Sequence, residues 1–425
     1  MLDIKFIREN KDVVQAGANK KHISFNVDDL ITADDERKNV LARVEEKRAE
    51  QNEVSKKIPQ VTDEVEKQKL LADMTILKEA IQKEEEELKD VLKKWNNLMV
   101  QVPNIPDMSV PEGAGDEDNK EIRVWGDKPD FDFEPKDHVD LMVQNKMVDF
   151  ERGTKISGFR GYILKNHGAL LEQAIHRFTL DMMIKKGFSP MSVPSLVRKE
   201  TLMGTGYLPQ GEDDLYKTQD DEYLAGTGEV AAMSFYSGEV LKKEELPKKI
   251  LAYSPCFRRE AGSHSRDTKG LIRVHEFYKF EQVVLCEANH EESVKLHEEI
   301  TANSEEIMQA LEIPYHVVVN CGGDLGLGQV KKYDIEAWTP SQNTYRETHS
   351  ASYFHDFQTR RLNIKYEDNT DGNNKKYFAH SLNNTALASP RILVMIVENY
   401  QQSDGSIKVP EVLKPYMYGT EVIKA

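Results

Sequence analysis

The chain has 425 residues and a net charge of −16, from 57 Lys+Arg against 73 Asp+Glu. That is long enough for two or three domains, and it excludes a protein that holds nucleic acid by bulk charge, leaving only a local basic surface for the purpose. Three cysteines, Cys256, Cys286 and Cys321, are odd in number and far apart, which excludes a disulfide framework or a compact zinc site and predicts buried free thiols.

In chain order, the N-terminus MLDIKFIREN scatters charge and has no apolar h-region of a signal peptide. The aliphatic run Ile392 to Val397 is far too short to span a bilayer. A cytoplasmic protein without a membrane segment is expected. From Val27 to Val102 there is no glycine and one proline, Pro59, amid many Lys, Glu, Leu and Val residues. Such a stretch favours helix, and a proline inside it breaks the helix in two. The second half carries a heptad, with Leu70, Leu77, Val91 and Leu98 on one position and Met74, Ile81, Leu88, Trp95 and Val102 on the other. Glu84 is its one break. A weaker stripe precedes Pro59 through Leu30, Val40, Leu41, Val44, Val54 and Ile58. Two such stripes zip into an antiparallel coiled-coil hairpin whose longer helix reaches about 55 Å. By itself the hairpin is more often a dimerisation or spacer element than an RNA-reaching arm. Lys47, Arg48, Lys56, Lys57, Lys67 and Lys69 lie toward its outer half, where phosphates could be met.

Residues 102–118 collect Pro, Gly and Asp and read as a linker or domain boundary. The division expected is an N-terminal domain over residues 1–105 and a second domain over 106–425. In the second, short β-rich runs alternate with helices, one from about Ala169 to Lys186 that stops at Gly187 and leads into an extended stretch with Pro190 and Pro194. The fold class expected is α+β, with a mostly antiparallel sheet flanked by helices. Phe257-Arg258-Arg259-Glu260, the loop AGSHSRDTKG and the return from Leu271 to Phe277 read as strand, loop and strand. Arginines ending a strand beside a polar loop suit one wall of a nucleotide site, but FRRE alone reads more readily as a basic surface hairpin of ion pairs.

At this point a resemblance becomes specific. FRREAGSHSRDTKGLIRVHEFYKFEQ resembles motif 2 of the class II aminoacyl-tRNA synthetases in their seryl, bacterial-type version. HGALLEQAIHRFTLDMMIKKGFSPMSVPSLV, from His167, resembles motif 1, and HSLNNTALASPRILVMIVENYQQSDGSIKVPEVLKPYM, from His380, resembles motif 3 with the seryl tail. GTGEV resembles the serine-binding loop, YRETHSASYFHDFQTRR the metal and ATP strand, and LDIKFIRENKDVV with the hairpin the tRNA-binding domain.

The resemblance implies a serine--tRNA ligase activity through seryl-adenylate, with Mg²⁺ accompanying ATP. It implies tRNA(Ser) and also tRNA(Sec) as partners, held across the subunits of a homodimer. Arg258 and Arg391 would be catalytic, Arg258 on the α-phosphate and serine carboxylate and Arg391 on the γ-phosphate. Arg259, Glu260, Val274, Phe277, Thr348 and His349 would complete the ATP site, with Phe277 stacked on the adenine. Glu347 and Ser350 would hold the metal. Thr227, Gly228, Glu229, Glu281, Asn383 and Thr385 would bind serine. The sequence departs from the family's usual pattern at Asn384, Thr385 and Ala386, at His349 where a second serine is common, and at Pro390 in place of glycine. Two other readings stand beside this one: a relative that loads a carrier protein, and an inactive tRNA-binding protein.

Overall fold

The computed structural model describes residues 1–262, 267–370, 372 and 374–425. The chain forms two compact units, one of Leu2–Asn19 and Ile23–Pro103, the other of Met1, Lys20–His22 and Asn104–Ala425. No helix among the described residues is long and apolar enough to cross a membrane.

The first unit is helical: α1 (Ile4–Glu9), α2 (Lys11–Lys20), α3 (Val27–Lys57) and α4 (Glu64–Met99). Asn26 caps α3, with Asp28 and Asp29 in its first turn and Lys56 and Lys57 in its last, the charge order the helix dipole favours. Pro59 sits in a short 3₁₀ turn, and Asp63 restarts the chain by accepting from the Val65 and Glu66 amides. α3 and α4 pack as the expected antiparallel hairpin. Every heptad residue of α4 is turned inward, with Ile81 and Val91 fully covered. Glu84, the break in the heptad, is held at the seam by Arg43 and Lys47, each at 2.7 Å. Arg37 lies over the Trp95 ring at 4.7 Å. Of the cations expected to meet phosphates, Lys47, Arg48 and Lys56 pair with Glu84, Glu85 and Glu53 instead.

The second unit is built on an eight-stranded sheet. Its strands are β1 (Lys120–Trp125), β2 (Ser189–Ser192), β3 (Lys248–Phe257), β4 (Glu276–Cys286), β5 (Tyr315–Val319), β6 (Lys331–Thr339), β7 (Thr344–His355) and β8 (His380–Ala388), in the spatial order β1-β5-β6-β7-β8-β4-β3-β2. Every pairing is antiparallel except β2 on β3. Six helices matter for the site: α5 (His167–Lys185), α6 (Lys199–Thr205), α7 (Glu229–Ser234), α8 (His290–Ala310), α9 (Phe357–Leu362) and α10 (Ser389–Asn399). α5 is capped by Lys186 and followed by Gly187, whose φ of +83° suits glycine. α8 packs on β7 and β8, and its Ser304 hydroxyl and Ile300 carbonyl accept from the Gln282 and Asn384 amides.

The change of unit between Pro103 and Asn104 falls within the stretch read as a linker or boundary. Beyond it the chain is tied down, the buried Asn104 amide donating to the Gly328 and Phe354 carbonyls at 3.0 and 2.8 Å. One sequence expectation needs correction. The return of motif 2 becomes strand only at Glu276. Leu271, Ile272 and Val274 are all buried rather than alternating. Side chains consume their backbone groups, the Leu271 N–H donating to His138 Nε2 and the Ile272 carbonyl accepting from Arg391. The middle of the motif 2 loop, residues 263–266, lies outside the described residues. The three cysteines are free and buried, as expected.

Candidate active site

The end of β3, the start of β4 and the start of α10 wall a cleft. It is lined by Arg258, Glu260, Arg273, Val274, Phe277, Lys279, Glu347, Thr348, Thr385 and Arg391, among others. A larger cavity of about 460 Å³, lined by Phe159, Tyr162, Tyr216 and Tyr278, gathers none of the predicted site residues. The cleft, not that cavity, concentrates charge suited to chemistry.

Arg258 follows the last residue of β3. Its Nε donates to the Gly226 carbonyl at 3.3 Å, and its guanidinium lies 5.4 Å from the Phe277 ring centre. The predicted adenine-stacking ring therefore already carries a cation against it. Arg259, one residue on, points elsewhere, its Nη1 donating to the Asp213 carbonyl at 2.9 Å, and does not line the cleft. Glu260, at φ +55°, pairs with Arg273 at 2.5 Å. Arg391 enters from the first turn of α10, where Pro390 needs no amide partner. Its Nη1 donates to the Glu347 carbonyl at 2.6 Å and approaches that residue's carboxylate at 3.3 Å, while its Nε donates to Ile272 at 3.1 Å. One arginine thus ties α10, β7 and the motif 2 return together. Although the surroundings of Glu347 resist its charge, Arg391, Lys332 and Arg258 together hold its carboxyl below the ordinary range.

Ser350 faces Asp334 across the β6–β7 register. Burial, partly offset by Lys332, pushes the Asp334 carboxyl up to about 6, and one of its buried oxygens, Oδ1, has no hydrogen-bond partner. These oxygen donors suit a hard cation. Among the described residues no three His, Cys, Asp or Glu side chains could hold a metal by themselves. The set would suit a magnesium ion accompanying a nucleotide, since Mg²⁺ prefers few carboxylate ligands. His349 is fully buried, its Nδ1 2.8 Å from the Thr348 hydroxyl, and burial lowers its pKa to about 4. It does not line the cleft, whereas Thr348 does.

The residues expected to bind serine come together beside this wall. Glu281 pairs with Thr385 in the β4–β8 register and with Ala252 of β3. Lys279, two residues earlier and so on the same face, contacts the Glu281 carboxylate. Thr227, Glu229, Glu281, Asn383 and Thr385 are all buried. Gly228 packs so closely that an added Cβ would lie 3.1 Å from that of Ala252. Strand alternation explains the departures in β8. Asn383 and Thr385 share one face, while Asn384 turns its amide to α8 and Ala386 joins the core. Tyr207 and Gln358, which bond Glu229, carried no separate signal in the sequence, although Gln358 lies within the quoted segment YRETHSASYFHDFQTRR.

Comparison with known proteins agrees along the whole chain. Residues 1–106 match the family described as seryl-tRNA synthetase N-terminal domain, and residues 215–400 match the tRNA synthetase class II core domain (G, H, P, S and T). A serine--tRNA ligase of Deinococcus radiodurans is 46% identical over 100% of this chain and 99% of its own length. One of Methanocella arvoryzae is 42% identical over 100% of both. Among solved structures, seryl-tRNA synthetase from Pyrococcus horikoshii complexed with ATP has a TM-score of 0.90 at 39% identity, covering 100% of this chain and 99% of that one. Cytoplasmic serine-tRNA ligase from Naegleria fowleri in complex with AMP has a TM-score of 0.86 at 33% identity, again covering 100% and 99%.

Proposed function

The chain belongs to the seryl-tRNA synthetase family of class II synthetases, and from that premise we propose how its own residues carry out the reaction. It is an ATP-dependent aminoacyl-tRNA ligase that attaches serine to tRNA. The observation that carries the mechanism is one cleft in which Arg258, Arg391 and Glu347 meet beside the buried carboxylates Glu229 and Glu281.

The serine carboxylate attacks the α-phosphorus of ATP, pyrophosphate leaves, and seryl-adenylate forms. Arg258 meets the charge at the α-phosphate and Arg391 that of the departing polyphosphate, both fixed in place before the reaction by their carbonyl contacts. Glu347 and Ser350 would hold Mg²⁺, which would draw charge from the phosphates. Glu260, Val274, Phe277 and Thr348 bind the nucleotide. Glu229 and Glu281, with Thr227, grip the ammonium and hydroxyl of serine, and Asn383 and Thr385 close the pocket. A site that hydrogen-bonds the hydroxyl rejects alanine roughly 10⁴-fold or more, because its polar groups would be stranded. A ribose hydroxyl of tRNA then attacks the acyl carbon and AMP leaves.

Residues 1–105 are the tRNA-binding domain and 106–425 the catalytic domain of a cytoplasmic homodimer, whose arm reaches tRNA held on the other subunit. Its RNA partners are tRNA(Ser), met by shape and backbone, and tRNA(Sec). Mixed dimers test the division of labour. An arm-deleted subunit and an Arg258→Ala subunit, each inactive in charging alone, should regain charging of both tRNA transcripts when combined. Failure of the mixture, with each parent folded and dimeric, would exclude action across subunits.

A further inference from the structure

Glu229 begins α7 with its side chain almost wholly out of solvent. Both of its oxygens are met by donors. The Tyr207 hydroxyl, from the turn after α6, lies 2.8 Å from Oε2, and the Gln358 amide, from α9, lies 2.6 Å from Oε1. The orientation of that amide is dictated by chemistry. Its nitrogen also faces the Thr205 carbonyl at 3.1 Å, and its oxygen accepts from the Ser381 hydroxyl at 2.7 Å. Two acceptors on one side and a donor on the other leave Gln358 one way round, as a donor to Glu229. Gln358 and Ser381 are themselves buried, so water does not compete for these bonds.

Neither donor carries a charge. Burial and the neighbouring Glu281 raise the Glu229 carboxyl above its ordinary range, and the bonds from Gln358 and Tyr207, with the more distant Lys279, partly offset them. Tyr207, buried beside Glu229 and Glu281, has its own pKa pushed well above the ordinary value and stays a donor at any working pH. Lys279 is in contact with Glu281 instead. We propose that Tyr207 and Gln358 are positioning residues that keep Glu229 ionised and aimed without neutralising it, so that its charge is left for the substrate ammonium. A lysine or arginine in their place would neutralise that carboxylate, and a hydrophobic pair would let it protonate. Ser381 fixes the amide of Gln358 from behind. The inference rests on serine being the amino acid substrate.

The test uses serine-dependent ATP–pyrophosphate exchange by the full-length chain, with melting temperature followed alongside. Absence of exchange in the unaltered protein would sink the substrate reading and this inference together. Given exchange, Tyr207→Phe should raise KM for serine roughly tenfold to a hundredfold, the worth of one hydrogen bond to a charged group. KM for ATP should stay within about twofold. The acid limb of kcat/KM for serine should move to higher pH, because losing a donor makes Glu229 easier to protonate. Gln358→Glu should behave in the opposite sense, since the introduced carboxyl donates only while protonated, and its activity should fall as pH rises. Inhibition by serinamide, which keeps the ammonium, should weaken with Tyr207→Phe as KM for serine does. Inhibition by 3-hydroxypropanoate, which lacks it, should be unchanged. Equal weakening of both inhibitors, a rise of both KM values together, or an unmoved acid limb would overturn the proposal in favour of a merely structural role.

Discussion

Replacing Arg391 by glutamine separates what holds the site together from what stabilises charge during reaction. Arg391 makes three contacts, to the Ile272 carbonyl at 3.1 Å, the Glu347 carbonyl at 2.6 Å and the Glu347 carboxylate at 3.3 Å. Its side chain is 23% exposed, so water can replace part of what is lost. The folded state should lose about 1–3 kcal/mol, in line with a charged hydrogen bond. The transition state should lose more. A preorganised donor aimed at developing charge is worth about 2.7–4 kcal/mol, or roughly 10²- to 10³-fold in rate. In ATP–pyrophosphate exchange, Arg391→Gln should therefore lower kcat by at least about a hundredfold while melting shifts by only a few degrees. Arg391→Lys keeps the charge but loses the fork that spans two carbonyls, and should fall between. Exchange within threefold of the unaltered protein at saturating ATP and serine would refute the role. So would a rate loss no larger than the loss of folded protein accounts for.

Four further outcomes are expected. Glu347→Gln should raise the Mg²⁺ or Mn²⁺ concentration needed for half-maximal exchange by roughly 10- to 100-fold, and direct binding of Mn²⁺ with ATP, followed by electron paramagnetic resonance, should weaken in parallel. His349→Ser should leave KM for ATP within about threefold, because the ring is buried away from the cleft, and should cost about 1–3 kcal/mol of stability from the space it empties. Burial lowers the pKa values of His176, His297 and His349 to about 4 in the folded chain, while an unfolded histidine titrates near 6.5. The unfolded state thus binds more protons between those values, and stability present above pH 6.5 should drain away toward pH 4, by up to about 3 kcal/mol per histidine. A melting temperature that stays flat from pH 7 to pH 5 would contradict this. Deleting residues 27–102 should spare pyrophosphate exchange and abolish tRNA charging, and loss of exchange in a well-folded deletion would count against the separation of the two tasks.

Periodicity made the hairpin legible, because a seam repeating every seven residues is written directly in the order of side chains. Glu84 looked like a flaw there only because the repeat says nothing of Arg43 and Lys47 on the facing helix. The strand pattern of the second unit was readable where one residue in two turns inward, and unreadable at residues 271–275, where side-chain bonds replace the ladder. Lys21 shows the same limit. It is buried with its ammonium on the carbonyls of Gly326, Leu327 and Gln329, a cage made of backbone that no side-chain pattern announces. The motif resemblance pointed to Arg258, Glu347 and Arg391, which the fold gathers in one cleft. It also pointed to Arg259 and His349, which the cleft leaves out. Neighbouring motif residues point opposite ways, and only the strand ends settle which faces the site. Tyr207 and Gln358 went unnoticed because their importance lies in touching Glu229 from segments far away in the chain.

The measurement closest to the central claim is ATP–pyrophosphate exchange with the purified chain, ATP and Mg²⁺, comparing serine with threonine, alanine and glycine. The cleft described above predicts exchange with serine and at least about 10⁴-fold less with alanine or glycine, which lack the hydroxyl that Glu281 and Thr385 would meet. Threonine, differing by one methyl, should be rejected less steeply. Exchange with none of the four, or alanine used as well as serine, would contradict the account.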